Sequence, residues 1–489
     1  MKKLITLLLA VVLAVACCFS LTACEKEEST TATIDLMGSS YAMYAEDVPD
    51  DFKIGFIFLH DEKSTYDLNF LTAAKEAVAT MGLKPSQVVY KVNVPEGQEC
   101  YDAAKEMVED GCKAIFANSF GHGGFMLQAA QDFEDVHFFH ATGAQASNLP
   151  EGVENFHNAF ASIYEGRYLG GIAAGMKLNE MIEAKEKELD RELTEDELKA
   201  ATKIGYVGAY PYAEVKSGYT SFYLGVKSVC PSVTMDVKFT NSWYDETAEK
   251  AAAEALIADG AVLISQHADS MGAPSACEKA GIPNVSYNGT TIEKCPNTFI
   301  ISSRINWAPY FKMIIASFAE DEEGNNMMDM FPADYVAGLG DGMVEMSLIN
   351  ADVMAKGTVA ALQKAIREFE NSWNGSSAIV FNTANFTVTL TDEQKEMKVD
   401  VDGDGVAETA KFAVDENGHL TSYYADVVDK GDFAGETEVI LTENGVTYFN
   451  ESGVKMSPVF DGEFNLVGFE LVGRSAPYFD IDIDGITIK

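Results

Sequence analysis

The chain has 489 residues, 47% hydrophobic and 23% charged, the proportions of a soluble globular protein long enough for two to four domains. Its 76 acidic against 35 basic residues give a formal net charge of −41. That balance excludes a nucleic-acid polymer as partner, since phosphate binding needs a basic footprint, and it suits a domain outside an anionic membrane.

Residues 1–23 read as a signal peptide, with Lys2 and Lys3 ahead of an apolar core. Leu21-Thr22-Ala23-Cys24 resembles the bacterial lipobox, so Cys24 is the expected lipidation site. The expected location is therefore the extracellular face of the cell membrane, held by a lipid anchor that does not span. A plain secretory signal or a membrane anchor is the other reading. No later run reaches the roughly 18 unbroken apolar residues of a spanning helix. Residues 24–51 are acidic and polar and read as a flexible tether.

From residue 52 to 373, short apolar runs alternate with amphipathic ones. "KIGFIFLH", "AIFANSF", "VHFFHATG", "KIGYVGAY", "VTMDVKFT" and "AVLISQHA" are strand-like, and the helical stretches between them close on Gly82, Gly111 and Gly260. This is the signature of parallel βαβ units in doubly wound sheets. The pattern begins at Lys53 and restarts at Lys203, which predicts two α/β lobes. The first takes about residues 52–160 and 286–335, the second about 161–285 and 336–373. The charged stretch between the two halves reads as an exposed helical hairpin, with Thr194 and Glu197 in capping-box spacing. Five cysteines follow Cys24 without a C-x-x-C, so no metal site is indicated and at most a pair such as Cys277–Cys295 is left open.

Beyond residue 374 the helical period stops. Alternating runs separated by Asp-Gly and Asn-Gly predict a separate antiparallel β-domain over 374–489. Within it, Asp400, Asp402, Asp404 and Glu408 open like a calcium loop, but Lys411 stands at the twelfth position and an EF-hand is rejected. A calcium-stabilised hairpin and a plain Asp-Gly turn both stay open, and no cofactor is expected.

No G-x-S-x-G, H-E-x-x-H or phosphate loop occurs. His140 and His157 read as core groups, whereas His267 sits at a strand end. The strand ends carry a recurring chemistry. Tyr66 and Asp67, Ser119 and Phe120, Tyr210, Trp243 and Tyr244, Asp269, Asn288 and Trp307 all follow strand-like runs. Rings at such points stack on a flat ligand, and acids and amides orient it by hydrogen bonds.

Several long stretches carry a specific resemblance: "GCKAIFANSFGHGGFMLQAAQDFEDVHFFHATG", "IYEGRYLGGIAAGMK", "SWYDETAEKAAAEALIADGAVLISQHADS", "NWAPYF" and "GLGDGMVEMS". Over about residues 52–370 the chain resembles the basic membrane protein family, the lipoprotein substrate-binding subunits of ABC importers for purine nucleosides. The resemblance implies a two-lobed periplasmic-binding-protein-like fold of type I, a membrane permease as partner, and no catalysis. It implies Tyr66 as the stacking ring, Asp67 as the orienting group, and Ser119, Phe120, Trp243, Tyr244, Asp269, Trp307 and Asp341 near the cleft. Nucleoside-binding members carry an acid where this chain has Asn288 and Gly289, so the implied ligand is a purine base or nucleoside, the base leading. The alternative is a surface-anchored sensor or adhesion protein with the β-domain as effector. A nucleoside hydrolase would need acids clustered at the first strand, and Asp61 and Asp67 are too sparse for that.

Overall fold

The structure is a computed structural model. It describes residues 48–489 except 144, 148, 321–323, 373–375, 383–384, 401–404, 417, 419, 426–436, 443–444, 450–456, 461–465, 471–478 and 480. The signal peptide, Cys24 and the tether to residue 47 lie outside the described residues, as do Asp402 and Asp404.

In chain order the elements are β1 (Ile54–Ile57), α1 (Thr65–Thr80), β2 (Val88–Lys91), α2 (Gln98–Glu109), β3 (Ala114–Ala117), α3 (Gly123–Asp132), β4 (His137–Ala141) and β5 (Phe156–Ala161). Then come α4 (Tyr164–Leu189), α5 (Glu195–Ala201), β6 (Lys203–Gly208), α6 (Ala213–Val229), β7 (Thr234–Phe239), α7 (Glu246–Ala258), β8 (Ile264–His267) and α8 (Gly272–Ala280). β9 (Asn284–Tyr287), β10 (Phe299–Ile305), α9 (Ala308–Ser317), β11 (Asp334–Ala337), β12 (Val344–Met346) and α10 (Thr358–Glu370) follow.

Two sheets result. The first runs β11-β5-β4-β3-β1-β2, parallel throughout. The second runs β12-β10-β9-β8-β6-β7 and adds Ile486–Ile488 beside β7, with only the β12–β10 pair antiparallel. The central strands IGFI and AIFA are buried at every position, because helices cover both faces of a parallel sheet. The expected α/β architecture of two parallel-sheet lobes is present. Gly82, Gly111 and Gly260 take left-handed φ of 69°, 86° and 97° just past their helices, the conformation that makes them stops. Thr194 and Glu197 close the predicted capping box on α5.

Two expectations are corrected. The sequence pattern predicts a return to the first lobe near residue 286, yet β9 and β10 both pair in the second sheet. The chain crosses back only after Ile305, where α9 packs on α1 through Trp307 and Phe70 (ring centroids 4.6 Å) and a Lys312–Glu76 ion pair of 2.7 Å. A buried strand looks the same in sequence whichever sheet it joins. The segment 374–489 is also not wholly separate. Its described middle holds antiparallel strands, including the run Phe412–Val414, Leu420–Ala425, Thr437–Thr442, Gly445–Phe449. Its end, however, is part of the second lobe. Phe479, Ile481 and Ile483 are buried, Asp482 accepts a 2.5 Å hydrogen bond from Tyr219 on α6, and Ile486–Ile488 pairs with β7 in parallel.

α6 itself is fixed by close packing on α4. A Cβ at Gly171 would strike the Phe222 carbonyl oxygen, and one at Gly225 the Tyr168 carbonyl oxygen, so the two helix backbones touch. Cys100, Cys112, Cys230, Cys277 and Cys295 are all buried free thiols, and the open Cys277–Cys295 pairing is not formed. Among the described residues no group of three or more His, Cys, Asp or Glu could hold a metal ion. Asp400 accepts the Gly405 N–H at 2.6 Å, and residues 401–404 of the acidic loop lie outside the described residues.

Candidate functional site

The first wall begins where β1 ends. Ser64 caps α1 by accepting the Asp67 N–H at 3.1 Å. That places Asp67 in the first helical turn, where the helix dipole favours its charge. Asp67 Oδ1 accepts from the His60 N–H (3.0 Å) and from Asn118 Nδ2 (2.7 Å). Its Oδ2 is buried without a hydrogen-bond partner, 3.4 Å from His60 Nδ1. Burial pushes this carboxyl up, but the bonds from His60 and Asn118 outweigh it, and Asp67 sits below the usual aspartate value. Asn118 also accepts the Leu59 N–H at 3.0 Å, and its carbonyl takes the Tyr66 hydroxyl at 2.8 Å, so Asn118 pins the whole turn. After β3, Glu96 accepts from the Ser119 hydroxyl (2.5 Å) and the Gly121 N–H (2.8 Å), which sets the loop carrying Phe120. After β4, Thr142 adopts φ 65°, a left-handed conformation that costs energy for a β-branched residue.

The second wall comes from the other lobe. Glu214 lies in the first turn of α6, Trp243 follows β7, His267 ends β8, Asp269 follows it, and Tyr287 ends β9. His267 Nε2 is 3.8 Å from Glu214 Oε1, and its ring lies 4.4 Å from the Tyr287 ring. Behind Tyr287, Arg167 of α4 stacks its guanidinium 3.8 Å from the ring centroid and donates to the Gln266 carbonyl at 2.8 Å. Arg167 Nε and Nη2 are buried without hydrogen-bond partners. Burial, then the charge of Arg167, push His267 well below the usual histidine range, so it is neutral. Burial first, then the acids Glu249, Asp67 and Glu214, push Asp269 well above the usual aspartate value, against the pull of Arg167. No hydrogen bond from the described residues reaches the Asp269 side chain. Glu249 accepts the N–H groups of Asp245 and Ser270, both at 3.2 Å, and so ties the Trp243 turn to the Asp269 turn.

Between these walls is a slot whose empty space, counted with the open solvent at its mouth, is about 400 Å³. The first lobe lines it with Leu59, His60, Tyr66, Asp67, Ser119, Phe120 and Thr142, the second with Glu214, Trp243, His267, Asp269 and Tyr287. The lobes meet around it. The Thr65 N–H and hydroxyl donate to the Asp269 carbonyl (2.9 and 3.1 Å), and Asn69 Nδ2 donates to Asn288 Oδ1 (2.9 Å). His60 faces Tyr244 at 5.5 Å and Phe120 faces Tyr212 at 5.8 Å.

Of the residues singled out in sequence, Tyr66, Asp67, Ser119, Phe120, Trp243 and Asp269 reach this space. Tyr210 does not line it; it stacks on Tyr212 (5.0 Å, 10°) and meets Trp243 at 5.1 Å, backing the wall. Tyr244 sits at the rim against His60. Asn288 is buried and bonds to Asn69 across the lobes. Two placements are corrected. Trp307 is fully buried in the first lobe's core between Phe70 and Phe116, since it opens α9 with its ring turned inward. Asp341 is exposed and caps its own turn, accepting the Gly338 N–H at 3.0 Å. Leu59, His60, Thr142, Glu214, Tyr287 and the supporting Arg167 join the site without a signal in the sequence pattern. Glu214 reads in sequence as a routine acid at a helix start, and Tyr287 as the interior of a strand.

Two doubly wound lobes, joined by three crossovers, close on an aromatic and acidic space at their strand ends, the place where this architecture holds a small ligand. Residues 57–379 match the Bmp family model, described as ABC transporter substrate-binding protein PnrA-like, and the chain belongs to that family. It is 31% identical over 286 residues to a purine-binding protein of Brucella abortus, covering 58% of this chain and 71% of that one. It is also 31% identical over 264 residues to a putative ABC transporter glucose-binding protein of Haloferax volcanii, covering 54% of this chain and 59% of that one. Among solved structures, a transcriptional activator of the comK gene from Bacillus halodurans shares the fold at TM-score 0.50 and 16% identity, over 65% of this chain and 98% of that one. No helix among the described residues is long and apolar enough to cross a membrane.

Proposed function

We propose that this substrate-binding protein captures a purine, base or nucleoside, between its lobes and delivers it to an ABC permease. Cys24 carries the lipid that holds it at the outer face of the membrane. The observation that carries the ligand reading is the slot itself. Tyr66, Phe120 and Trp243 supply rings for a flat heterocycle, and Asp67 brings an unpartnered buried oxygen to its edge. The name of the Brucella abortus relative points the same way.

A base is favoured over a nucleoside by Asn288. The position where the resemblance places a ribose-gripping acid holds an amide whose Oδ1 already accepts from Asn69 across the lobes, leaving its Nδ2 as a donor and no carboxylate to grip a diol. Mass spectrometry of small molecules released from the protein as purified tests the reading. A purine is expected; a sugar instead would redirect it to the class named for the Haloferax volcanii relative. Growth in labelled palmitate with Cys24→Ala as control tests the anchor, which requires label on the parent chain and none on the variant.

The sensor or adhesion reading keeps a hold because residues 380–489 lie beyond the family match. Uptake of labelled purine in cells lacking the chain separates the two. Undiminished uptake would favour the sensor.

A further inference from the structure

The two acids that face each other across the slot differ in what they offer a ligand. Asp67 is fully buried, two donors are already committed to its Oδ1, and its Oδ2 has no neighbour within hydrogen-bonding geometry, His60 Nδ1 standing 3.4 Å away. It can only accept, so it calls for an N–H. Asp269 comes from the opposite lobe, is 4% exposed, and receives no hydrogen bond from the described residues. Its carboxyl group can accept through one oxygen and donate through the other when it carries a proton. The buried surroundings, with Glu249 and Glu214 close by, favour that protonated form. His267 beside it is neutral, and Arg167 stacks behind the Tyr287 ring and does not line the slot.

Resting on the purine reading above, we propose that Asp67 and Asp269 read an amidine edge, an exocyclic amine beside an unprotonated ring nitrogen, and so select adenine, which carries that edge at its six-position, over hypoxanthine, which has a carbonyl there. The amine gives one N–H to Asp67 Oδ2 and shares the other with Asp269, while the Asp269 hydroxyl donates to the ring nitrogen. A carbonyl in place of the amine would face the Asp67 carboxylate, an acceptor against an acceptor, with the buried oxygen left unpaired. Sites built around buried hydrogen-bonding groups reject such mismatches strongly.

The experiment is titration of the mature protein with adenine and with hypoxanthine, repeated on Asp67→Asn and Asp269→Asn, which keep side-chain size. The parent chain should bind adenine at least about 30-fold more tightly than hypoxanthine, as a buried mismatch of this kind predicts. Asp67→Asn should shrink that gap to about threefold or less, because an amide can turn its N–H₂ towards the carbonyl. Equal affinities in the parent, or tighter hypoxanthine, overturn the selection while leaving purine binding standing. A parent gap that neither variant alters overturns the assignment to these two acids. If neither base binds, it is the purine reading itself that fails.

Discussion

Glu165 lies where the lobes are joined, in the first turn of α4 directly after the β5 crossover. It is buried, and its carboxylate accepts the Leu339 N–H at 2.5 Å from the β11–β12 crossover and a hydroxyl hydrogen bond from Ser376. Burial, the largest cause, raises it from an ordinary 4.5 to about 7, although those hydrogen bonds pull the other way and Asp341 adds to the rise. The folded protein therefore holds this proton more tightly than the unfolded chain. No stability is lost below about pH 4.5, and stability falls as pH rises from there to about 7. The gap between those values, at about 1.4 kcal/mol per pH unit, makes the full loss about 3 kcal/mol. Glu165→Gln keeps the shape and removes the titration. Urea unfolding of parent and variant at pH 5 and pH 8 should show the variant gaining about 2–3 kcal/mol on the parent over that interval. Parallel pH dependences would refute the placement of a buried, titrating carboxyl at the hinge.

Three further outcomes are expected. Asp67→Ala strips the acceptor from the His60 N–H and Asn118 Nδ2, so purine affinity should fall at least about tenfold by calorimetry; unchanged affinity would remove Asp67 from the site. Thr142→Gly releases a β-branched residue from φ 65° and should not destabilise the fold, with a gain of about 1 kcal/mol in denaturant melts; a clear loss would mean the Thr142 side chain contributes more than its strain costs. Gly171→Ala forces a methyl group into the Phe222 carbonyl, and should cost about 1–3 kcal/mol and lower the melting temperature; a neutral result would show that α4 and α6 can separate.

The local grammar was legible in the chain, and the long-range partnerships were not. IGFI and AIFA read as buried strands because parallel strands covered on both faces lose their alternation. Gly82, Gly111 and Gly260 read as helix stops because the left-handed turn they make is local. The sheet that β9 and β10 join depends on contacts far along the chain, and apolar runs carry no address. For the same reason nothing in the chain tied Ile486–Ile488 to its partner β7. In the site, aromatic and polar residues just past strands were visible as a set. Trp307 shared that signature, yet its ring is turned into the core by α9. Glu214 and Arg167 stayed hidden, since an acid in a first turn and a cation within a helix are ordinary features until a fold brings one into the slot and the other behind the Tyr287 ring.

Calorimetric titration of the mature chain against adenine, guanine, hypoxanthine, their nucleosides and glucose tests the central claim most directly. One-to-one binding of at least one purine, with no heat from glucose, is the predicted result. Silence with every purine, or saturable binding of glucose, would contradict it.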